Sequence, residues 1–377
     1  NTILGSLAGD AFTTGAENVA IGYGALGQED GNGKNVAVGM NTLTAQNAGA
    51  EAYNTAVGWD TGKAVTTGVK NTLIGAAAGD ALTTGGESVA IGYGALSTED
   101  TASRSTAIGY NALEAQNSGS SNTYNVAVGF DAGLSVSTGT YNVVMGGKAG
   151  DALTSGSYNV AIGYAALGAE DAHGKNIAIG HEALVAQDAG ADARNVAIGY
   201  EAGHDVTIGI KNVLVGNSAG EKVTEGQYNT LLGANAGDAL TTGDNNIIIG
   251  YNAAASAVGV DNEITLGDSN ISAIRAQVTS ISSLSDKRDK KDIKDSTYGL
   301  DFVDSLKPVT FEWNQRDGNR SGVKDVGFIA QDLQEVDDEY TRLVYESNPD
   351  KLEATYGRLI PIMAKAIQEL SKEVKEL

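Results

Sequence analysis

A five-residue phrase that closes on glycine recurs sixteen times in the first three-quarters of this chain and then stops. Its form is Asn, aliphatic, variable, aliphatic, Gly, as in NVAIG at 18–22. The closing glycines run from Gly5, Gly22 and Gly39 to Gly250 and Gly267, in steps of 17 residues except for three of 19, 20 and 19. A fixed period of this size predicts a solenoid, with one rung per repeat. Four rung types alternate, so the larger repeat begins at Asn1, Asn71 and Asn142. At an inter-strand distance of about 4.8 Å, the full rungs would stack over roughly 70 Å.

The phrase also says how the strand is buried. Its fourth position is large and aliphatic (Ile21, Val38, Met145, Leu232), and its third is usually Ala (Ala20, Ala37, Ala56). Both faces are therefore apolar, which marks a strand covered on both sides. One 17-residue rung is too thin to cover both, so we expect a second chain on the outer face and an oligomer wound about a common axis. Asn opens thirteen of the fifteen full rungs, Ser88 and Ser105 the other two. That column should stack its amides into a hydrogen-bonded ladder, and the glycine column should supply a turn that a side chain would strain.

These repeats resemble the heads of trimeric autotransporter adhesins, whose NxVAIG-like phrases build a trimeric parallel β-roll, and the β-solenoid shafts of bacteriophage tail fibres. The resemblance covers 1–267 and implies an all-β trimeric parallel β-solenoid there.

Composition divides the chain near 270–285. Forty-five of the 50 glycines precede Leu284, while Pro308, Pro349 and Pro361 all follow it. A continuous ladder has little room for a residue without an N–H, which explains the absence of proline upstream. Of the net charge of −22, the balance is −17 before residue 285 (10 basic, 27 acidic) and −5 after it (15 basic, 20 acidic). Such acidity argues against nucleic acid or an anionic membrane as partner. No apolar run approaches a membrane span, and without cysteine there is no thiolate metal site. The chain opens directly within the repeat array at Asn1, so we expect a natural part before it.

Several apparent motifs in the solenoid dissolve on inspection. Gly22-Tyr-Gly24-Ala-Leu-Gly27 matches the dinucleotide-binding GxGxxG, but the equivalent segments read GYGALS at 92–97 and GYAALG at 163–168, and no helical pattern follows. His173, His181 and His204 lie in successive rungs without a shared column. The acidic pairs Glu29-Asp30, Glu99-Asp100 and Glu170-Asp171 sit four rungs apart, some 19 Å along the stack, too far to cooperate within one chain. We read them as solvated turns, with a weak surface cation as the alternative. We expect no cofactor and no metal. The three lengthened rungs place extra residues at 47–53, 117–124 and 188–194, where binding surfaces of solenoids usually lie. Aromatic residues often follow the phrase glycine (Tyr23, Trp59, Tyr93, Tyr110, Phe130). Packing over neighbouring rungs or along an oligomer seam is the favoured reading of these rings, and stacking on sugars the sharper one.

After Gly267 a serine-rich connector (Ser280, Ser282, Ser283) leads to SDKRDKKDI at 285–293. This module has no His or Cys, so the nearest candidate base for Ser285 is a lysine, as in Ser–Lys hydrolases. Lys290 would have to be neutral when it takes the proton, which requires partial burial or nearby positive charge from Lys287, Arg288 or Lys291. Read alone, Ser-Asp followed by charges is also a helix start. Three further blocks follow: GLDFVDSLKPVTFEW at 299–313, DVGFIAQDLQEV at 325–336 and YGRLIPIMAKAIQELSKEVKEL at 356–377. Together the four blocks resemble the peptidase S74 family, the intramolecular chaperone domains of phage tailspikes and fibres. The resemblance covers 285–377. It implies Ser285 as nucleophile, Lys290 as base, orienting roles for Asp286 and Arg288, and a cut beside Ser285, with the side before Asp286 favoured. Tyr356, Ile360, Met363, Ile367, Leu370, Val374 and Leu377 form a short heptad seam.

The expectation is thus a shaft or receptor-binding region at 1–267, a connector at 268–284, and at 285–377 a small α+β chaperone module ending in a coiled-coil helix. The resemblance implies the distal part of a homotrimeric tail fibre in a virion, joined to the tail through its missing N-terminal part and facing a host cell-surface receptor, with a glycan favoured. The rivals are a bacterial adhesin stalk, which would need a membrane anchor, and a glycan-degrading enzyme, for which no carboxylate pair on one face is found.

Overall fold

A computed structural model describes residues 1–101, 103–119, 122–275, 277, 285–314 and 321–377. The connector serines Ser280, Ser282 and Ser283, and residues 120 and 121 of the second lengthened rung, lie outside them. The chain forms two compact units, Asn1–Leu266 and Gly267–Leu377.

The first unit is a parallel β-solenoid of about 15 turns with rungs of about 17 residues. Each phrase contributes one three-residue strand, from β1 (Thr2–Leu4) to β16 (Ile264–Leu266), and all sixteen pair in chain order in a single parallel sheet. Register is strict. Ala20 pairs with Ala37 and Ala37 with Ala56, so every third phrase position stacks on its equivalent, across the lengthened rungs as well. From Ala20 to Ile248 that column is buried, while the second and fourth positions point outward and are half-buried or exposed, as at Met145 (40%) and Leu232 (46%).

The interior is filled by a volume exchange along the turn after the strand. Four residues past the phrase glycine, some rungs place a buried leucine in left-handed backbone, such as Leu96 with φ +55°. Others place glycine there, and a Leu or Val three residues later fills the space. A Cβ on Gly150 would lie 2.8 Å from Leu153 Cδ1, so the two solutions are mutually exclusive. The phrase glycines meet the need expected of them. Gly146 has φ +133°, and a Cβ there would fall 2.4 Å from the carbonyl oxygen of Gly163 on the next rung.

The asparagine column is buried, but its ladder differs from simple amide stacking. Along the column Oδ1 accepts the backbone N–H that opens the next rung, and in most rungs Nδ2 donates to a backbone carbonyl fourteen residues ahead: Asn142 accepts from Asn159 N at 2.9 Å and donates to Gly156 O at 2.8 Å, while Asn35 and Asn176 lack the second bond. The amide thus serves two backbone groups that the three-residue strands leave unpaired. The acidic pairs correct a second expectation. Glu29, Glu99 and Glu170 are not in solvated turns but fully buried. They sit beside the rung's polar corner, where only their aspartate neighbours approach solvent.

The aromatic residues stack over neighbouring rungs. Tyr93, Tyr110 and Phe130 form one run with ring centres 5.4 and 5.3 Å apart, and Tyr164, His181 and Tyr200 another at 5.3 and 5.2 Å. The central ring of each run has both faces covered, which leaves it no face for a sugar. A second column, immediately before the asparagines, escaped the sequence reading: Tyr124, Tyr141 and Tyr158 stack at 5.2 Å, with Arg104 reaching the Tyr124 hydroxyl at 2.9 Å.

The second unit contains α1 (Leu300–Ser305), a hairpin of β17 (Val309–Glu312) and β18 (Lys324–Gly327), α2 (Ala330–Gln334), a short pair β19 (Val344–Tyr345) and β20 (Glu353–Ala354), and the terminal helix α3 (Leu359–Glu376). Leu333, Leu343, Leu359 and Ile362 form its small core, against which Phe302, Val303 and Phe328 pack. Glu369 on α3 accepts the Leu300 N–H at 2.7 Å and so caps α1; that backbone hydrogen bond, foremost, holds its carboxyl below the usual range. Among the described residues no helix is long and apolar enough to cross a membrane.

Candidate functional site

Ser285 and Lys290 flank a single turn of 3-10 helix, Lys287–Asp289. The side chain of Asp286 caps that turn by accepting the Arg288 N–H at 2.8 Å, and Lys290 closes it by donating its own N–H to the Lys287 carbonyl. The charges in this segment therefore do have the capping role that a helix start predicts, with Asp286 rather than Ser285 as the cap. The turn sends the chain back on itself, and the five-residue separation becomes a contact: Lys290 Nζ donates to Ser285 Oγ at 2.6 Å and to the Ser285 carbonyl oxygen at 3.4 Å. An amine at this distance is within reach of the hydroxyl proton it would remove.

The electrostatics of the turn are partly different from the expectation. The Arg288 guanidinium is engaged by Asp286, with Nη2 to Oδ2 at 2.6 Å and Nε to Oδ1 at 3.1 Å. Hydrogen bonding to Arg288 holds the Asp286 carboxyl below its ordinary value and raises Arg288 in turn. Arg288 is thus largely neutralised as a source of positive potential for Lys290. Residues 285–290 are all exposed in the single chain, so the burial that a neutral lysine requires is not supplied by this chain's own module.

Helix α3 carries two faces with different roles. Leu359, Ile362 and Ala366 face the module's core. Ile360, Met363, Ile367, Leu370 and Val374, the predicted heptad seam, are 48–69% exposed. Tyr356 departs from that seam: it lies in a 3-10 turn ahead of the helix, where its hydroxyl accepts the Phe328 N–H at 3.2 Å and its ring meets Phe328 edge-on. The side chain is held by the module itself, although its ring remains half exposed.

Comparison with known proteins identifies one part of the chain. Residues 285–344 match the family Peptidase_S74, described as the chaperone of endosialidase. The match begins at Ser285, and this region is similar to a chaperone family whose name implies autoproteolysis. Residues 345–377, with the fourth sequence block and α3, lie beyond the matched segment. No curated protein and no solved structure is significantly similar, so the likeness of the solenoid to adhesin heads and fibre shafts rests on its repeat alone.

Proposed function

We propose that this chain is the distal part of a trimeric phage tail fibre or receptor-binding appendage, located in the virion, whose C-terminal module templates trimer assembly and then releases itself. The observation that carries this reading is the lysine amine seated on the hydroxyl of the first residue of the matched chaperone segment. Two apolar surfaces support the trimer. The seam on α3 is a stripe of five large side chains with no partner in the single chain, and the outward strand positions repeat a second such stripe on every rung. The five seam side chains are already about half buried in the single chain, so covering them is worth about half of the roughly 1.5–3 kcal/mol that full burial gives each.

In this scheme the modules associate first, and the rungs then add to a template that sets their register. Neighbouring chains bury the turn at 285–290, which favours the neutral Lys290 and lets it take the Ser285 proton. The geometry constrains the cut. For cleavage before Asp286, a serine attacking its own carbonyl would close a four-membered ring. The attacking oxygen at that bond is then water or Ser285 of a neighbouring chain. Attack on the preceding carbonyl closes a five-membered ring and moves the acyl group of residue 284 from the Ser285 nitrogen, which takes up the proton, to its Oγ; water must then hydrolyse that ester, and the cut falls before Ser285. After release, an unfolded chain lacks its template, and the solenoid is held kinetically.

The test is intact mass of the assembled protein over days. The wild type should yield a solenoid fragment ending at or next to Ser285, while Ser285→Ala and Lys290→Ala remain whole and still trimerise. A wild-type trimer that stays uncut removes the protease role and leaves a trimeriser. Receptor contact is assigned to the lengthened turns at 47–53, 117–124 and 188–194. Shortening all three to 17-residue rungs should preserve the trimer and abolish host adsorption; unchanged adsorption refutes the assignment.

A further inference from the structure

The third four-rung repeat departs from the first two at a pair of positions that the fold brings together. After the strand of the second rung type, the copies read QEDGNGK at 28–34, TEDTASR at 98–104 and AEDAHGK at 169–175. On the following rung they read AQNAG at 45–49, AQNSG at 115–119 and AQDAG at 186–190. His173 and Asp188 therefore stand where the first copy has Asn32 and Asn47.

The glutamate beside them is buried in every copy, yet its partners differ. In the second copy Gln116 Nε2 donates to Glu99 Oε2 at 3.1 Å. In the first and third, the equivalent Gln46 and Gln187 donate instead to the carbonyls of Thr66 at 3.1 Å and Thr207 at 2.8 Å. Glu170 Oε1 accepts the His173 backbone N–H at 3.0 Å, but its Oε2 is buried without any hydrogen-bond partner. His173 Nδ1, 3.5 Å from Glu170 Oε1, is likewise buried and unpartnered. One ligand atom from each of Glu170, Asp171, His173 and Asp188 lies within 4.8 Å of the other three. Beside Glu29, whose Oε2 is equally unpartnered, Asn32 and Asn47 offer neither an imidazole nor a carboxylate.

We infer that Glu170, Asp171, His173 and Asp188 bind a divalent transition-metal ion of the zinc type. Zinc takes imidazole nitrogen and carboxylate oxygen at about 2.0–2.2 Å, and its four ligands then sit a little over 3 Å apart, a modest contraction of the group seen here. The imidazole selects against magnesium and calcium, which prefer oxygen-only sites. Because Asp188 belongs to the rung after the other three, the ion would clamp two rungs where the third lengthened turn begins. A second His–Glu group, His181 with Glu182 and Glu201, is at least partly exposed throughout and has no buried, unpartnered oxygen.

The experiment uses the full chain, stripped with chelator and titrated with zinc chloride by calorimetry, with thermal unfolding followed in parallel. We expect one zinc per chain at this site and an upward shift of the unfolding temperature. His173→Asn and Asp188→Asn restore residues that the first copy already accommodates, so the rung should fold; each should weaken binding about tenfold or more and lose the zinc-dependent shift. Unfolding without metal should match the wild type. His181→Asn should leave this binding unchanged. The inference is overturned if the wild type takes up no zinc at millimolar concentration, if the His173→Asn/Asp188→Asn double variant binds as tightly as the wild type, or if calcium binds in preference to zinc.

Discussion

Replacing Asn142 by alanine isolates what the asparagine ladder contributes. The side chain is fully buried and satisfies two groups: the N–H of Asn159 at 2.9 Å and the carbonyl of Gly156 at 2.8 Å. Both belong to buried residues, so water does not substitute. Leaving a buried donor or acceptor unpaired costs about 1–3 kcal/mol, so the pair amounts to roughly 2–6 kcal/mol per chain. Each rung interacts chiefly with its neighbours, so the loss should stay local rather than spread along the stack. Hydrogen exchange read by mass spectrometry on peptides spanning 142–162 should show protection at the Asn159 amide falling roughly 30-fold or more, at 1.4 kcal/mol per decade, while peptides several rungs away keep theirs. Asn142→Ser should fall between. The native serines show the weaker link, since Ser105 N lies 3.5 Å from Ser88 Oγ, beyond a good hydrogen bond. An alanine variant with wild-type protection at Asn159 would mean that the column does not carry the ladder, and the energetic reading of the phrase would fail.

Ile367→Asp places a charge in the exposed seam of α3 while leaving the buried Leu359–Ile362 face intact, so it should give a folded but monomeric chain at micromolar concentration by mass photometry, and an uncut one. A trimer that survives would move the assembly surface elsewhere. Burial raises Glu29 above its ordinary value near 4.5 despite the opposing hydrogen bond from Asn32. The folded state therefore holds a proton that the unfolded state gives up. Stability from this group is present below the ordinary value and is lost as pH rises through the raised one. Glu29→Gln cannot ionise and keeps an oxygen for the Asn32 N–H. Its melting temperature relative to wild type should rise across that window and stay ahead at neutral pH; a gap that is flat from pH 4 to 8 would refute the burial argument.

Much of this architecture is legible in sequence because a solenoid is a local rule repeated. The five-residue phrase and its 17-residue period specify strand position, the glycine turn and the aliphatic interior column, since each rung meets a near-copy of itself and parallel register follows from equal spacing. Ser285 and Lys290 were singled out by the lack of His and Cys nearby and by the family resemblance, and one turn of 3-10 helix brings the amine to the hydroxyl. The seam on α3 followed from its 4, 3 spacing. What the sequence left open depends on which groups meet after the rungs stack. Acidic residues in a polar turn look solvated, and only the stacked backbone shows that Glu29, Glu99 and Glu170 enter the interior while their aspartate neighbours remain outside. The asparagine amides could pair with one another or with the main chain. Three-residue strands leave backbone donors and acceptors at their ends, and those groups claim the side chains. His173 and Asp188 are fifteen residues apart in sequence and share no column. They converge on Glu170 only because one turn of the solenoid brings the end of one rung beside the corner of the next.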